Sequence, residues 1–265
     1  MKWRSSTAPQ PASDHPLLSV ENASVRFPDS SAHKRTNTQK QSLVQLAHNS
    51  AHSFRTKPVL EDLWLDLRGG HRVGLVGPNG SGKSTFLRFL AGAIPPASGR
   101  IFRTGRTIAI LSAQAGLEMN ATGYENIFLR SLLLGVKLPE IRAAMDDIIE
   151  FSGLEDRLQE PVRTYSAGMV LRLAFSISTA FPADILLIDE WIGTGDAAFI
   201  GKAKARLSAM VSNTKILVVA SHNESVIRTL CSEAIFMLDG RIAHHDAVDS
   251  TFAVYNHWLL APKTP

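Results

Sequence analysis

Polar and apolar positions along the chain switch between two periods. Short apolar runs at residues 17–27, 58–67, 73–76, 107–111, 185–188 and 216–220, with a briefer one at 100–102, read as strands. Each run gives way to glycine, proline or polar residues, as at Arg68-Gly69-Gly70 and at Ser221-His222-Asn223. Between the runs the apolar residues recur at helical spacing. Helices are expected after the glycine-rich segment that ends at Gly82, from Thr122, from Pro139, from Ser166, after Asp196, from Asn223 and over 250–260. In the Pro139 helix Ile141, Met145 and Ile148 share one face, while Glu140, Arg142, Asp146 and Asp147 share the side toward water. Leu238-Asp239-Gly240-Arg241 has the turn residues of a hairpin. Alternation of strands and helices with short joins predicts an α/β fold whose mostly parallel sheet is covered on both faces. Residues 116–162, helical throughout in pattern, interrupt that alternation as an insert.

Two stretches carry neither period. Residues 1–16 are rich in Ser, Pro and Ala and read as a flexible tail. Residues 28–57, dominated by Ser, His, Gln, Asn and Lys with a weak stripe at Leu43, Leu46 and Ala47, read as a polar surface insert. The remainder, 17–262, is expected to form one domain, and the hydrophobic content of 45% is ample for its core.

Charge refines this picture in one place. The insert holds Lys34, Arg35, Lys40, Arg55 and Lys57 and no acid between Ser30 and Leu60; without those five, the 28 basic and 24 acidic residues become 23 and 24. A nearly neutral remainder argues against a nucleic-acid-coating protein, whose footprint is a broad basic face. The single cysteine, Cys231, forms no internal disulfide and suits a reducing compartment. No secretory leader is expected from Met1-Lys2-Trp3-Arg4-Ser5-Ser6, and the most apolar region, 173–188, is broken by Pro182 and Asp184 and too short to span a bilayer.

The chemistry begins at Gly77-Pro78-Asn79-Gly80-Ser81-Gly82-Lys83-Ser84-Thr85, between the strand at 73–76 and a helical pattern. Strand, glycine-rich loop, Lys-Ser and helix form a phosphate loop. Gly77, Gly80 and Gly82 allow backbone N–H groups to curl around an anion, and the helix start adds its positive end. Lys83 is expected to reach the β- and γ-phosphates of ATP or GTP and Ser84 to take a place on Mg2+. Asp189-Glu190, closing the apolar strand 185–188, then reads as a Walker B element. Asp189 would hold Mg2+ through water, and Glu190 would polarise the attacking water as general base. His222, after the strand 216–220, falls where a γ-phosphate would lie.

The order of these stations, with Tyr165-Ser166-Ala167-Gly168-Met169 just before a helix and ahead of Asp189, resembles the ATP-binding cassette (ABC) proteins over residues 17–240. The resemblance implies a P-loop core with a mostly parallel sheet, an antiparallel β subdomain and an inserted α-helical subdomain. It implies a head-to-tail homodimer, each ATP bound by 77–85 of one subunit and capped by Ser166 and Gly168 of the other, with Asp196 in the D-loop, His222 as the switch and Gln114 as the glutamine before the helical insert. Phe27 matches the aromatic that stacks on adenine, and Trp64 offers a second ring. The signature departs from the common Leu-Ser-Gly-Gly-Gln in carrying Ala167 and Met169.

Within the family, residues 164–169, 190–199 and 121–127 and the polar insert resemble the ATPases that export lipid-linked polysaccharides: O-antigen, capsule or teichoic acid. That implies a separate six-helix ABC-2-type permease and a place on the cytoplasmic face of the inner membrane. The basic segment would then meet anionic headgroups or the carrier's pyrophosphate. The chain ends at Pro265 with no carbohydrate-binding domain expected after the cassette. Two other readings stay open: a transporter of a drug, lipid or nutrient, and a soluble ABC ATPase acting on DNA or ribosomes, a class that usually carries paired cassettes or a long coiled coil.

Overall fold

The structure is a computed structural model that describes residues 17–28, 56–111, 116–189 and 197–261. It contains two sheets. Strands β1 (Leu17–Pro28) and β2 (Thr56–Arg68) pair antiparallel, Leu17 opposite Arg68 and Pro28 opposite Thr56, and β4 (Ser98–Thr104) adds to the other edge of β1. The second sheet holds β3 (Arg72–Val76), β5 (Thr107–Ile110), β6 (Ile185–Asp189), β7 (Ile216–Ala220), β8 (Glu233–Leu238) and β9 (Arg241–Ala247). Its order is β5-β6-β7-β3-β8-β9, parallel except for the final β8–β9 hairpin. The helices are α1 (Lys83–Ala91), α2 (Gly123–Leu133), α3 (Leu138–Ser152), α4 (Ala167–Thr179), α5 (Ala197–Asn213), α6 (Glu224–Leu230) and α7 (Val248–Leu260).

Period-two alternation divides the core. In β6, Ile185 and Leu187 face one side of the sheet and Leu186 and Ile188 the other. The first side packs on α1, whose Phe86, Leu87, Phe89 and Leu90 are fully buried between the six-stranded sheet and the inner face of the three-stranded sheet, where Leu18, Val20, Leu63 and Leu67 lie. Each such side chain contributes roughly 1.5–3 kcal/mol by leaving water. The second side packs on helices α4, α5 and α7 and on Ile227 of α6. A Cβ on Gly74 of β3 would lie 2.4 Å from Ile227 Cγ2, so the glycine lets α6 rest directly on the strand.

The helical insert is tied to this core through α4. Phe175 of α4 meets Phe151 of α3 at 6.1 Å and Phe199 of α5 at 5.9 Å, and the Arg206 guanidinium lies 4.3 Å from the Phe151 ring. Thr122 begins α2 with a capping box, its Oγ1 accepting from Glu125 N–H at 3.1 Å while Glu125 Oε2 accepts from Thr122 N–H at 2.8 Å. The Thr122 N–H and the Thr122 hydroxyl, both donating to Glu125 Oε2, hold the Glu125 carboxyl below its ordinary pKa. Buried Asn126 staples the preceding loop, donating to Glu118 O and Thr122 O, both at 2.9 Å.

The polar insert is narrower than its composition predicts. Pro28, Thr56 and Lys57 belong to the strands, because Phe27 and Pro28 pair with Lys57 and Thr56 and extend the hairpin. The rest of it, with Lys34, Arg35, Lys40 and Arg55, lies outside the described residues. Helix α7 starts two residues earlier than its periodicity suggests, since β9 runs straight into it and Thr251 Oγ1 anchors its first turns by donating to Ala234 O at 2.9 Å.

Candidate active site

The parallel strands β6, β7 and β3 lie side by side, and the residues just beyond their carboxyl ends meet at one cavity of about 370 Å³. Its lining includes Asn79, Gly80, Gly82, Lys83, Ser84 and Thr85 from the loop after β3, Asp189 from β6, and Ser221 and His222 after β7.

Local geometry explains the loop's glycines. Gly77 has φ 146°, and a Cβ there would sit 2.3 Å from Met237 O of β8. Gly80 and Gly82 have φ 81° and 102°, in the left-handed region. Gly82 caps α1 without a side-chain hydrogen bond, and the first turn of α1 holds no acid. The helix's own ladder starts with Phe86 N–H donating to Gly82 O at 2.7 Å, so the positions ahead of it are those a helix leaves for a ligand. Lys83, only 9% exposed, directs its Nζ to Gly77 O at 2.7 Å and Pro78 O at 2.9 Å, holding a cation at the loop's mouth. Ser81 Oγ is buried and has no hydrogen-bond partner among the described residues. An uncapped helix start, a left-handed glycine cradle and a fixed ammonium fit a polyphosphate.

Asp189 pairs with Ala220 in the β6–β7 register, so its carboxylate and His222 stand on neighbouring strand ends. The turn that presents His222 is fixed by Ser221 Oγ accepting from Asn223 N–H at 3.1 Å and by Asn223 Oδ1 accepting from Ser225 N–H at 3.0 Å. Ser84 and Asp189 bring a hydroxyl and a carboxylate to the same cavity. Among the described residues no group of three or more His, Cys, Asp or Glu could hold a metal, so a divalent ion here would rely on phosphate oxygens and water for its other ligands.

The signature residues stand elsewhere. Ser166 caps α4, its Oγ accepting from Met169 N–H at 3.2 Å, and Ser166, Ala167 and Gly168 are exposed and absent from the cavity lining. A Cβ on Gly168 would meet nothing nearer than 3.9 Å, so packing within the subunit does not call for a glycine there. Tyr165, next to it, is 8% exposed and donates its hydroxyl to Arg157 O at 2.7 Å. Burial raises the Tyr165 phenol above its ordinary pKa. Gly123 makes room for this anchor: a Cβ there would lie 2.4 Å from Tyr165 Oη.

Phe27 lies at the end of β1 opposite Lys57, 39% exposed and outside the cavity lining, while Val59 of the adjoining strand does line it. Trp64 belongs to a different groove on the outer face of the three-stranded sheet and offers no ring to the phosphate cavity. Gln114, Glu190 and Asp196 lie outside the described residues. Val59, Leu111 and Ser221 line the cavity without having been singled out by the sequence. Ser221 adjoins His222 and was recoverable; Val59 was not, because β2 reaches the loop through tertiary packing, with Leu60 Cδ2 only 2.9 Å from where a Cβ of Gly82 would be.

A phosphate loop, an acid and a histidine on adjoining strand ends, and a helical insert ending in an exposed signature define an ATP-binding cassette. The family model described as ABC transporter matches residues 60–193, and the chain belongs to that family. Among its relatives, the O-antigen export system ATP-binding protein RfbE of Yersinia enterocolitica is 38% identical over 237 residues, 88% of this chain and 98% of that protein. The teichoic acids export ATP-binding protein TagH of Listeria monocytogenes serotype 4b is 36% identical over 200 residues, 76% of this chain but 59% of its own length. The chain thus spans nearly all of the first relative and little more than half of the second. In fold it is similar to an ATP-binding subunit of an ABC transporter at a TM-score of 0.65 and 20% identity, covering 91% of this chain and 93% of that one. A dimeric ATP-binding cassette bound to ADP and phosphate aligns at a TM-score of 0.61 and 18% identity, covering 87% and 98%.

Proposed function

We propose that this chain is the ATP-hydrolysing subunit of an exporter of a lipid-linked polysaccharide, working as a homodimer with a separate six-helix ABC-2-type permease on the cytoplasmic face of the inner membrane. The observation that carries the ATPase assignment is the convergence of Lys83, Ser84, Asp189 and His222 on one cavity. The dimer is supported by Ser166 and Gly168, which are exposed, lie outside that cavity and are not required by packing within the subunit. Among the described residues no helix is long and apolar enough to cross a membrane, and a separate permease is supported by the relatives, which are named as ATP-binding proteins of export systems. The cargo class is supported by the relatives named for O-antigen and teichoic acid export.

In this reading the loop 77–85 holds the β- and γ-phosphates, Lys83 countering their charge and His222 contacting the γ-phosphate. Mg2+, held by Ser84 and through water by Asp189, would offset the negative charge that builds on the phosphates. Glu190 orients and deprotonates the attacking water, and Phe27 stacks on the adenine. Ser166 and Gly168 of the second subunit close over the nucleotide, so that closure and hydrolysis drive and reset the permease.

Two measurements test this. Glu190→Gln is expected to keep ATP binding and lower hydrolysis by about 10²–10⁴-fold; hydrolysis at the wild-type rate removes Glu190 from the role. Purification with the membrane fraction should recover a permease, and lipid-linked glycan should stimulate hydrolysis by the complex. A membrane-free protein that retains nucleic acid would overturn the export reading.

A further inference from the structure

We propose that the outer face of the three-stranded sheet is a binding platform for a neutral, hexopyranose-containing glycan, a second ligand site on the cassette that rests for its biological cargo on the export reading above. The starting observation is Trp64, 63% exposed between Leu63 and Leu65, which are buried. Alternation along β2 turns this indole outward; a lone exposed side chain is ordinary, and what makes this one informative is the groove it shares with other residues of the same face.

Trp64 does not stand alone. Ser19 of β1 lies opposite Asp66 of β2 on one side and Phe102 of β4 on the other. A small residue between two strands bearing rings leaves a shallow groove of about 650 Å³, whose lining includes Ser19, Trp64, Phe102 and, from β9, His245. From the strand spacing and rise, the Cα atoms of Trp64 and Phe102 are about 12 Å apart, a span for two linked pyranose rings. The groove shares no lining residue with the phosphate cavity, and the α1 core lies on the sheet's other face.

The rim decides the ligand class. Asp66 pairs with Arg68 at 3.1 Å and Glu21 with Arg100 at 3.7 Å, each within the sheet surface and open to solvent. The charges cancel in pairs, so no net field favours a polyanion or an anionic membrane, whose capture needs uncompensated cations. What the rim offers is carboxylate acceptors and guanidinium donors, groups that sugar hydroxyls can engage. The rings beneath present electron-rich faces to the C–H face of a sugar. An aromatic floor with a charge-neutral, donor-and-acceptor rim suits a polyhydroxylated neutral ligand.

The test uses the full chain and saturation-transfer NMR with neutral trisaccharides of mannose, glucose, galactose and rhamnose, beside polyglycerol phosphate and phosphatidylglycerol vesicles. At least one neutral trisaccharide should bind with a Kd on the order of millimolar, as expected for a shallow open site. Trp64→Ala should weaken it roughly tenfold while Trp64→Phe keeps most of it, with ATP hydrolysis by both variants unchanged from wild type. No binding to any neutral trisaccharide, binding that survives Trp64→Ala, or preference for polyglycerol phosphate or vesicles overturns the proposal. Trp64-dependent sugar binding by a protein that recovers no permease would instead sink the export reading and leave the platform standing; export that is unaffected by Trp64→Ala together with absent sugar binding would do the reverse.

Discussion

Two helix starts in this molecule contain glycine and serine, and they are built oppositely. The start of α1 is sunk at the ends of three parallel strands, has no side-chain cap, and is shaped by three glycines with positive φ, of which Gly77 is also held to glycine by Met237 O of the neighbouring strand β8. The start of α4 projects into solvent, is capped by its own Ser166, and carries in Gly168 a glycine that nothing in the subunit requires. The first is a cradle whose N–H groups are left open to an anion; the second is a helix end already capped within its own chain and exposed. The anchor beneath it, Tyr165 bound to Arg157 O over Gly123, fixes where that end points without filling it. The contrast is that Gly77 is demanded by a backbone clash, whereas Gly168 sits in space that packing within the subunit leaves open.

The comparison breaks most sharply through one substitution at each start. Lys83→Ala should lower ATP affinity by about 100-fold or more, since the ammonium held at the loop's mouth is lost. Gly168→Val should leave ATP binding by the single subunit intact yet lower hydrolysis by about 100-fold, with unfolding free energy within about 0.5 kcal/mol of wild type. Equilibrium nucleotide binding, steady-state phosphate release and urea unfolding separate these outcomes. Gly77→Ala comes next: its Cβ would press on Met237 O at a φ that disfavours any side chain, and urea titration should show a loss of roughly 3 kcal/mol, against almost nothing at Gly168.

The smallest effect lies at the opposite end of the sheet, away from both helix starts. Asp184 accepts from Arg106 N–H at 2.9 Å and lies 3.2 Å from Lys215 Nζ, and the Arg106 bond foremost holds its carboxyl below the ordinary aspartate value. A depressed carboxylate stabilises the fold at pH above that ordinary value, and the contribution is lost as pH falls through the depressed one. Asp184→Asn should therefore cost roughly 1 kcal/mol near pH 7, and its deficit against wild type should close as pH drops below about 4. Hydrolysis per folded molecule should not change, which makes this variant the control for the other three.

Strands β1 to β7 were legible because their apolar runs end at punctuation the chain obeys: glycine after β3, an acid closing β6, serine and histidine after β7; of β8 and β9 only the turn between them was legible. The phosphate loop was legible because its chemistry is local, every group lying within a few residues of Gly77. Asp189 and His222 could be placed from strand ends alone, since a parallel sheet gathers such ends on one edge. Val59 and Leu111 could not, because they reach the cavity by packing between elements distant in sequence. Trp64 was read as a possible partner for adenine from its chain position, and the register of β1 with β2 puts it instead on the sheet's far face, where period two alone decides the side. The exposure of Ser166 and Gly168 was likewise beyond the sequence, which gives a cap residue and a glycine but not the empty space around them.

The central claim is that the end of α4 completes the phosphate loop of a second copy. It is tested by mixing two inactive variants, Lys83→Ala and Gly168→Val, and measuring phosphate release. In a two-fold dimer, random exchange makes half the dimers mixed, and each mixed dimer carries one site with an intact loop facing an intact signature, so about a quarter of wild-type activity should return. If the mixture stays as inactive as its parts, or if Gly168→Val alone hydrolyses ATP at the wild-type rate, the signature does not act across the two subunits and the account is contradicted.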